Sequence, residues 1–261
     1  MSRKERIHTP GLNIAVGDYS HTIHRHQFGH NIAVSTSFVP VTSNGIYRTP
    51  QVSGATTLRV KAGGHADDTA AGDGAREVTL IGLDETGAEV TEAVATAGAS
   101  ASSATTTTFI RLYEAYVSAS GTYATSAAGS HTATITIENS AGTEDWTEIL
   151  VDGFSQGQAQ IGVYTVPLGW KAFINTIHVA VDGNKAATIL GFARPNILET
   201  AAPYSAMRMF FERGAMLGNV SIAGGVPDGP HPALTDVGFM ARVASTTAEV
   251  DVDFEIILVE E

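Results

Sequence analysis

Polar and apolar positions alternate most regularly near the C-terminus. Val237, Phe239, Ala241 and Val243 alternate with mostly polar or small residues, and Ser245-Thr-Thr247 marks a turn. Ala248, Val250, Val252, Phe254 and Ile256 then alternate with Glu249, Asp251, Asp253 and Glu255. A period of two puts successive side chains on opposite faces of a strand. The pattern predicts a β-hairpin with one buried face and one acidic face. The acidic row reads as a solvated face that discourages edge-to-edge aggregation. A cation or a basic partner is the alternative occupant of such a row.

The same periodicity predicts strands through most of the chain. Thr57–Lys61 is a short strand, and Glu77–Leu83 and Ala88–Thr96 form a hairpin around the turn Asp84-Glu-Thr-Gly87. Residues 97–108 are nearly all Ala, Ser, Thr and Gly. They read as a small-residue turn with extended flanks, leading into Phe109–Tyr113, because Thr105–Thr108 has β preference. In Thr132–Glu138, Ala133, Ile135 and Ile137 share one face, opposite Thr132, Thr134, Thr136 and Glu138. Ile149–Val151 and Gln160–Val166 follow as strands. Lys171–Val181, apolar on both faces, suits a central strand. Asp182-Gly-Asn-Lys185 turns into Ala187–Ala193, and the alternation of Met207, Met209 and Phe211 makes Tyr204–Arg213 a strand. No amphipathic helix is legible.

The expected fold is all-β: two antiparallel modules of β-sandwich or jelly-roll type preceded by an extended N-terminal arm. The divisions are an arm at 1–44, a first module at 45–143 and a second at 144–261, with a break at Asn139–Thr143. The arm has two readings: a segment ordered against a neighbouring subunit, or a long loop packed on its own domain.

Composition narrows the function. The chain has 261 residues, 43% hydrophobic and 16% charged, so it can bury a core and is not a disordered acid. A net charge of −12 disfavours sequence-blind nucleic-acid binding, which needs Lys and Arg to displace counterions. With no cysteine, disulfides and thiolate metal sites are excluded. Residues 1–20 lack the apolar run of a signal peptide, and no apolar stretch is long enough to span a bilayer.

Candidate chemistry is sparse. His21, His24, His26 and His30 cluster in the arm, and His24-x-His26 suits one strand face, but no regular metal-site spacing is matched and no carboxylate is expected close by. An interface or solvated histidine group is expected there, with no metal assigned. Gly153-Phe-Ser-Gln-Gly157 matches the nucleophile-elbow pattern, yet a strand, not a helix, is expected after it, so Ser155 is not assigned a catalytic role. Asp67, Asp68 and Asp73 lie in a Gly-rich loop without EF-hand spacing and read as turn aspartates that bond their own backbone. Trp146, Trp170 and Tyr164 could stack on a sugar but read first as core residues. No cofactor and no enzymatic activity are expected.

The stretch Asp68-Thr-Ala-Ala-Gly-Asp-Gly-Ala-Arg76, with Ile81-Gly-Leu-Asp84 and Val90-Thr-Glu92, resembles virion structural proteins of tailed, podovirus-like bacteriophages. The Thr105–Ile110 segment, Ala115–Val117, Tyr164-Thr-Val-Pro167 with Gly169, and Val252–Val259 look like later parts of the same proteins. Phe28-Gly29 with Asn31 resembles their N-terminal signature. Asp73, where a small polar residue is expected, and the histidine-rich arm depart from the pattern. The resemblance implies no catalytic residues. It implies a capsid cement or decoration protein that stabilises the head shell, located in the virion and assembled in the host cytoplasm. Its expected partners are the major capsid protein or other virion proteins and copies of itself, with a trimer favoured and neither nucleic acid nor membrane among them. A tail- or neck-associated fibre or adhesin that binds host glycan is the alternative. The expected interface residues are His21, His24, His26, Phe28, His30, Asp68 and Arg76.

Overall fold

A computed structural model of the chain describes residues 13, 19–61, 64–122, 130–151 and 157–261. Almost all regular structure in them is antiparallel β-sheet, with one 3-10 turn at Ser43–Gly45. No helix among them is long and apolar enough to cross a membrane. The chain opens with β1 (Thr22–Val34) and β2 (Val39–Pro40). Then come β3 (Leu58–Val60), β4 (Ala75–Leu83), β5 (Glu89–Ala95), β6 (Arg111–Ser120), β7 (Ile135–Asn139) and β8 (Asp145–Ile149). The C-terminal part holds β9 (Val163–Thr165), β10 (Trp170–Val181), β11 (Ala187–Arg194), β12 (Arg208–Met216), β13 (Gly218–His231), β14 (Asp236–Val243) and β15 (Ala248–Glu260).

These strands make four sheets. Their orders are β1-β15-β10-β13, then β12-β11-β14-β2 with β9 also on β14, then β3-β7-β8 and β5-β4-β6. The two larger sheets share one core. Val250, Val252, Phe254, Ile256 and Leu258 of β15 are at most 1% exposed, as the alternation requires. They meet Val237, Phe239 and Ala241 of β14 in the same cluster, with the Phe239 and Phe254 rings 5.0 Å apart. The two small sheets enclose a second core around Leu58, Leu80, Phe109, Ile137 and Ile149, which Ile161, Val163 and Phe192 join from the C-terminal part.

The expected divisions shift at both ends. Thr22–Val34, assigned to the arm, is an edge strand paired along its length with β15 of the same chain. Its alternation was hidden because its inward face is polar: Arg25, Gln27, Gly29 and Asn31 meet other polar groups instead of the apolar core. Gln27 donates to the carbonyls of Tyr113 and Ile161, 2.7 Å each. Asn31 donates to the Pro40 carbonyl at 3.0 Å. Gly29 is required by close approach, since a β-carbon there would collide with the Val41 carbonyl and the Gly162 backbone. The expected break at 143 falls inside the β7–β8 hairpin, whose register pairs Ile135 with Ile149. The inserted module therefore runs from β3 through β8, flanked by strands of the larger sheets.

Several other elements differ locally. Lys171–Val181 is central, as expected, but is covered on one face only. Ala172, Ile174, Ile177, Val179 and Val181 all point inward because a bulge after Ile174 resets the alternation. β8 lies upstream of the strand expected at 149–151, and Gly218–His231, rich in Gly and Pro, is a strand that the pattern missed. It occupies a sheet edge, where proline is tolerated. Residues 97–108 lie along β3. Thr105 Oγ1 accepts the Leu58 N–H and Ser102 Oγ the Val60 N–H, both at 2.9 Å. Hydroxyls there take the place of carbonyls in a ladder, which explains the Ser and Thr content.

One buried ion pair joins the inserted module to the larger sheets. Asp236 on β14 is fully buried, and Arg111 on β6 is 2% exposed. Arg111 Nε lies 3.0 Å from both carboxylate oxygens. Thr165 Oγ1 donates to Asp236 at 2.7 Å and the Tyr47 hydroxyl at 3.1 Å. Burial pushes the Tyr47 hydroxyl well above its ordinary pKa, and the Asp236 charge pushes it further. Removing one member leaves the other charge uncompensated. Asp236→Asn is expected to cost about 3–5 kcal/mol in urea unfolding, and the double variant Arg111→Met/Asp236→Leu less than that.

Candidate functional site

Period-two geometry puts His24, His26, Phe28 and His30 on one face of β1, and Glu249, Asp251, Asp253 and Glu255 on one face of β15. The antiparallel register sets these rows side by side: His26 opposite Glu255, Phe28 opposite Asp253, His30 opposite Asp251. The histidine cluster and the acidic face, separate in sequence, are thus one outward surface. That corrects the expectation that no carboxylate stands near the histidines.

Along this ladder His24 Nε2 lies 3.9 Å from Glu255, and His26 Nε2 lies 3.2 Å from Asp253. His30 Nδ1 contacts Asp251, and its Nε2 is 3.9 Å from Glu249. His21, mostly exposed at the strand's entrance, contacts Glu260. On the other side of β15, His178 of β10 stands opposite Asp253 and shares a 2.7 Å hydrogen bond with Ser221. A groove of about 330 Å³ runs between Phe28 and Ser221, with Asp251 and Asp253 on its wall. Burial pushes Glu255 upward, but hydrogen bonds from Thr176 and Asn175, with the His24 and His26 charges, outweigh it. The carboxyl is held below its ordinary pKa of 4.5.

The other two expected interface residues lie elsewhere. Asp68 is 4% exposed, so it is an internal staple and not a contact surface. Its carboxylate accepts the N–H groups of Ala75 at 2.9 Å, Thr132 at 3.0 Å and Ala133 at 3.1 Å. Gly74 is needed beside it, because a β-carbon would strike Asp68 Oδ1. Arg76 Nε donates to the Gly72 carbonyl at 2.7 Å and closes the same loop. Of the three aspartates expected to bond their own turn, Asp68 bonds backbone, but two of its donors belong to the distant Thr132–Ala133 segment. Trp146 and Tyr164 sit in different cores and build no shared platform. The serine pattern at 153–157 centres on Ser155, which lies outside the described residues.

The sequence missed the pairing of the two rows and the part played by His178. Each row carries its own period-two signal, but nothing local states that β1 adds to the edge of β15. Compared with protein-family models, with curated proteins and with solved structures, the chain matches none of them.

Two outcomes follow from this geometry. Asp68→Ala strands three backbone donors and should lower stability by roughly 2–3 kcal/mol in denaturant unfolding. The depressed pKa of Glu255 gives stability that is full above pH 4.5 and is lost as pH falls through the folded value. In unfolding curves taken from pH 7 to pH 3, Glu255→Gln should be less stable than the parent at neutral pH. The gap should close toward the acid end.

Proposed function

We propose that the chain is a non-catalytic structural protein of a bacteriophage virion, most directly a cement or decoration protein of the head shell. The observation that carries this reading is the strand order of the larger sheets. Taken in chain order, β1, β2 and β10 through β15 are eight strands. The first pairs with the eighth, the eighth with the third and the third with the sixth. In the facing sheet the second pairs with the seventh, the seventh with the fourth and the fourth with the fifth. This wrapped order is that of a double-sheet jelly roll, an architecture of viral capsid and lectin domains. The inserted module, between the second and third of these strands, carries the Asp68–Arg76 stretch that resembles podovirus-like virion proteins.

A shell protein needs a stiff body and surfaces that repeat by symmetry. The edge strand β12 offers such a surface, with Met209 60% exposed and Leu217, just past its end, 54% exposed. This edge carries self-association into a trimer, and the histidine and carboxylate face carries contacts to the major capsid protein. A second reading, a tail- or neck-associated adhesin, is favoured by the groove beside Phe28, where an aromatic ring and polar side chains line one cleft.

The test is binding of the purified chain to emptied shells, with copy number from quantitative mass spectrometry of particles. Cement predicts copies of the same order as the shell protein and a raised shell-disruption temperature. A few copies per particle and binding on a glycan array support the adhesin instead. Met209→Asp with Leu217→Asp should convert the trimer to monomer in light scattering without changing the circular dichroism.

A further inference from the structure

We propose that His30, Glu249 and Asp251 form a binding site for one divalent metal ion of the zinc, cobalt or manganese class, clamping the edge strand β1 to β15. Their candidate ligand atoms all lie within 4.8 Å of one another. The site is built by register: His30 stands directly opposite Asp251, and Glu249, two residues along β15, is its diagonal neighbour on the same face.

The donor set has a division of labour. His30 has a side chain only 1% exposed, and its Nδ1 contacts Asp251. That contact fixes the ring and turns Nε2 toward Glu249, 3.9 Å away. A carboxylate on one ring nitrogen with a metal on the other is the usual second-shell arrangement of metal-bound histidine. Ligands about 2.1 Å from one ion lie roughly 3.4 Å apart in tetrahedral geometry. Glu249 needs to move only a few tenths of an ångström, and its side chain is 45% exposed and able to turn. Asp251 holds the imidazole from its Nδ1 side, Nε2 and Glu249 are the protein ligands, and water completes the shell of the bound ion. Imidazole with carboxylate suits a borderline ion better than calcium or magnesium, which favour oxygen alone.

Charge singles out this end of the ladder. Asp253 faces His26 at 3.2 Å, and Glu255 accepts from Thr176 at 2.9 Å and Asn175 at 3.2 Å. Among the described residues no hydrogen-bond donor reaches the Glu249 carboxylate, and the His30 ring is its one titratable neighbour within 4 Å. Two carboxylates converge on one buried imidazole. A protonated ring balances one of them, and a divalent ion balances both. Because β1 and β15 supply ligands from opposite ends of the chain, an ion bound here holds the N-terminal strand in the sheet.

The experiment is titration of the untagged full-length chain with Co²⁺, read by visible absorbance, and with Zn²⁺, read by calorimetry. The expected result is one ion per chain and a raised thermal midpoint. Glu249→Gln, at a half-exposed position that leaves the His30–Asp251 contact in place, should weaken binding at least tenfold and abolish the thermal shift. The double variant His24→Gln/His26→Gln should bind as the parent does. Absence of binding, binding unchanged in Glu249→Gln, or binding lost only in the His24/His26 variant would each overturn the proposal.

Discussion

Asp236 and Arg111 meet where almost no water reaches either side chain, and the rest of the architecture is arranged so that neither is left alone. Asp236 lies on β14, in the middle of the larger of the two main sheets, and Arg111 begins β6 of the inserted module. Thr165 and Tyr47 complete the carboxylate's partners. Four separate segments of the chain must therefore be in place together. A buried pair of this kind adds little net stability over a well-packed apolar substitute, but losing one member is costly. Its consequence is specificity: the inserted module docks in one orientation. The second core repeats the constraint in apolar form, since Ile161, Val163 and Phe192 pack among residues of the inserted module.

The N-terminal strand faces the same problem with different chemistry. Its inward face is polar, so it cannot be held by burial of apolar area alone. Gln27 and Asn31 spend their amides on carbonyls of neighbouring segments, and Arg25 reaches Glu89 of β5 at 3.2 Å. Glu89 also accepts the Tyr113 hydroxyl at 2.6 Å. On the outward face the strand meets carboxylates with imidazoles. Polar contacts thus hold both faces of this strand along much of its length, whereas β10 buries Ala172, Ile174, Ile177, Val179 and Val181 on its inner face.

The resembling stretch Asp68–Arg76 has a structural meaning that its small-residue composition concealed. The carboxylate of Asp68 organises three backbone donors, Gly74 makes room for it, and Arg76 ties the loop back to Gly72. A motif of this sort marks a fold because the loop cannot close without it. Asp68, Gly74 and Ala75 of the stretch are buried, while Ala70, Ala71 and Asp73 are exposed.

Strand positions were readable wherever one face is apolar and one is wet. β4, β5, β11, β14 and β15 fall close to where alternation puts them, and the Asp84 and Asp182 turns lie between their strands, as the turn residues require. Legibility failed where a local device hides the period. The bulge after Ile174 made a one-faced strand look apolar on both faces. The Gly and Pro content of Gly218–His231 masked an edge strand, and the polar inner face of β1 masked another. The candidate site was half visible: the histidine row and the acidic row could each be read, but not their adjacency. By itself the sequence determined that the chain is β and, where the alternation is unbroken, which residues are strand and which face is buried, because these depend on side chains two apart. Only the tertiary structure decided that residues 22–34 pair with residues 248–259, that Asp236 finds Arg111, and that His30 meets Glu249 and Asp251. Those contacts span most of the chain, and they are set by the order in which strands join sheets, which no local period encodes.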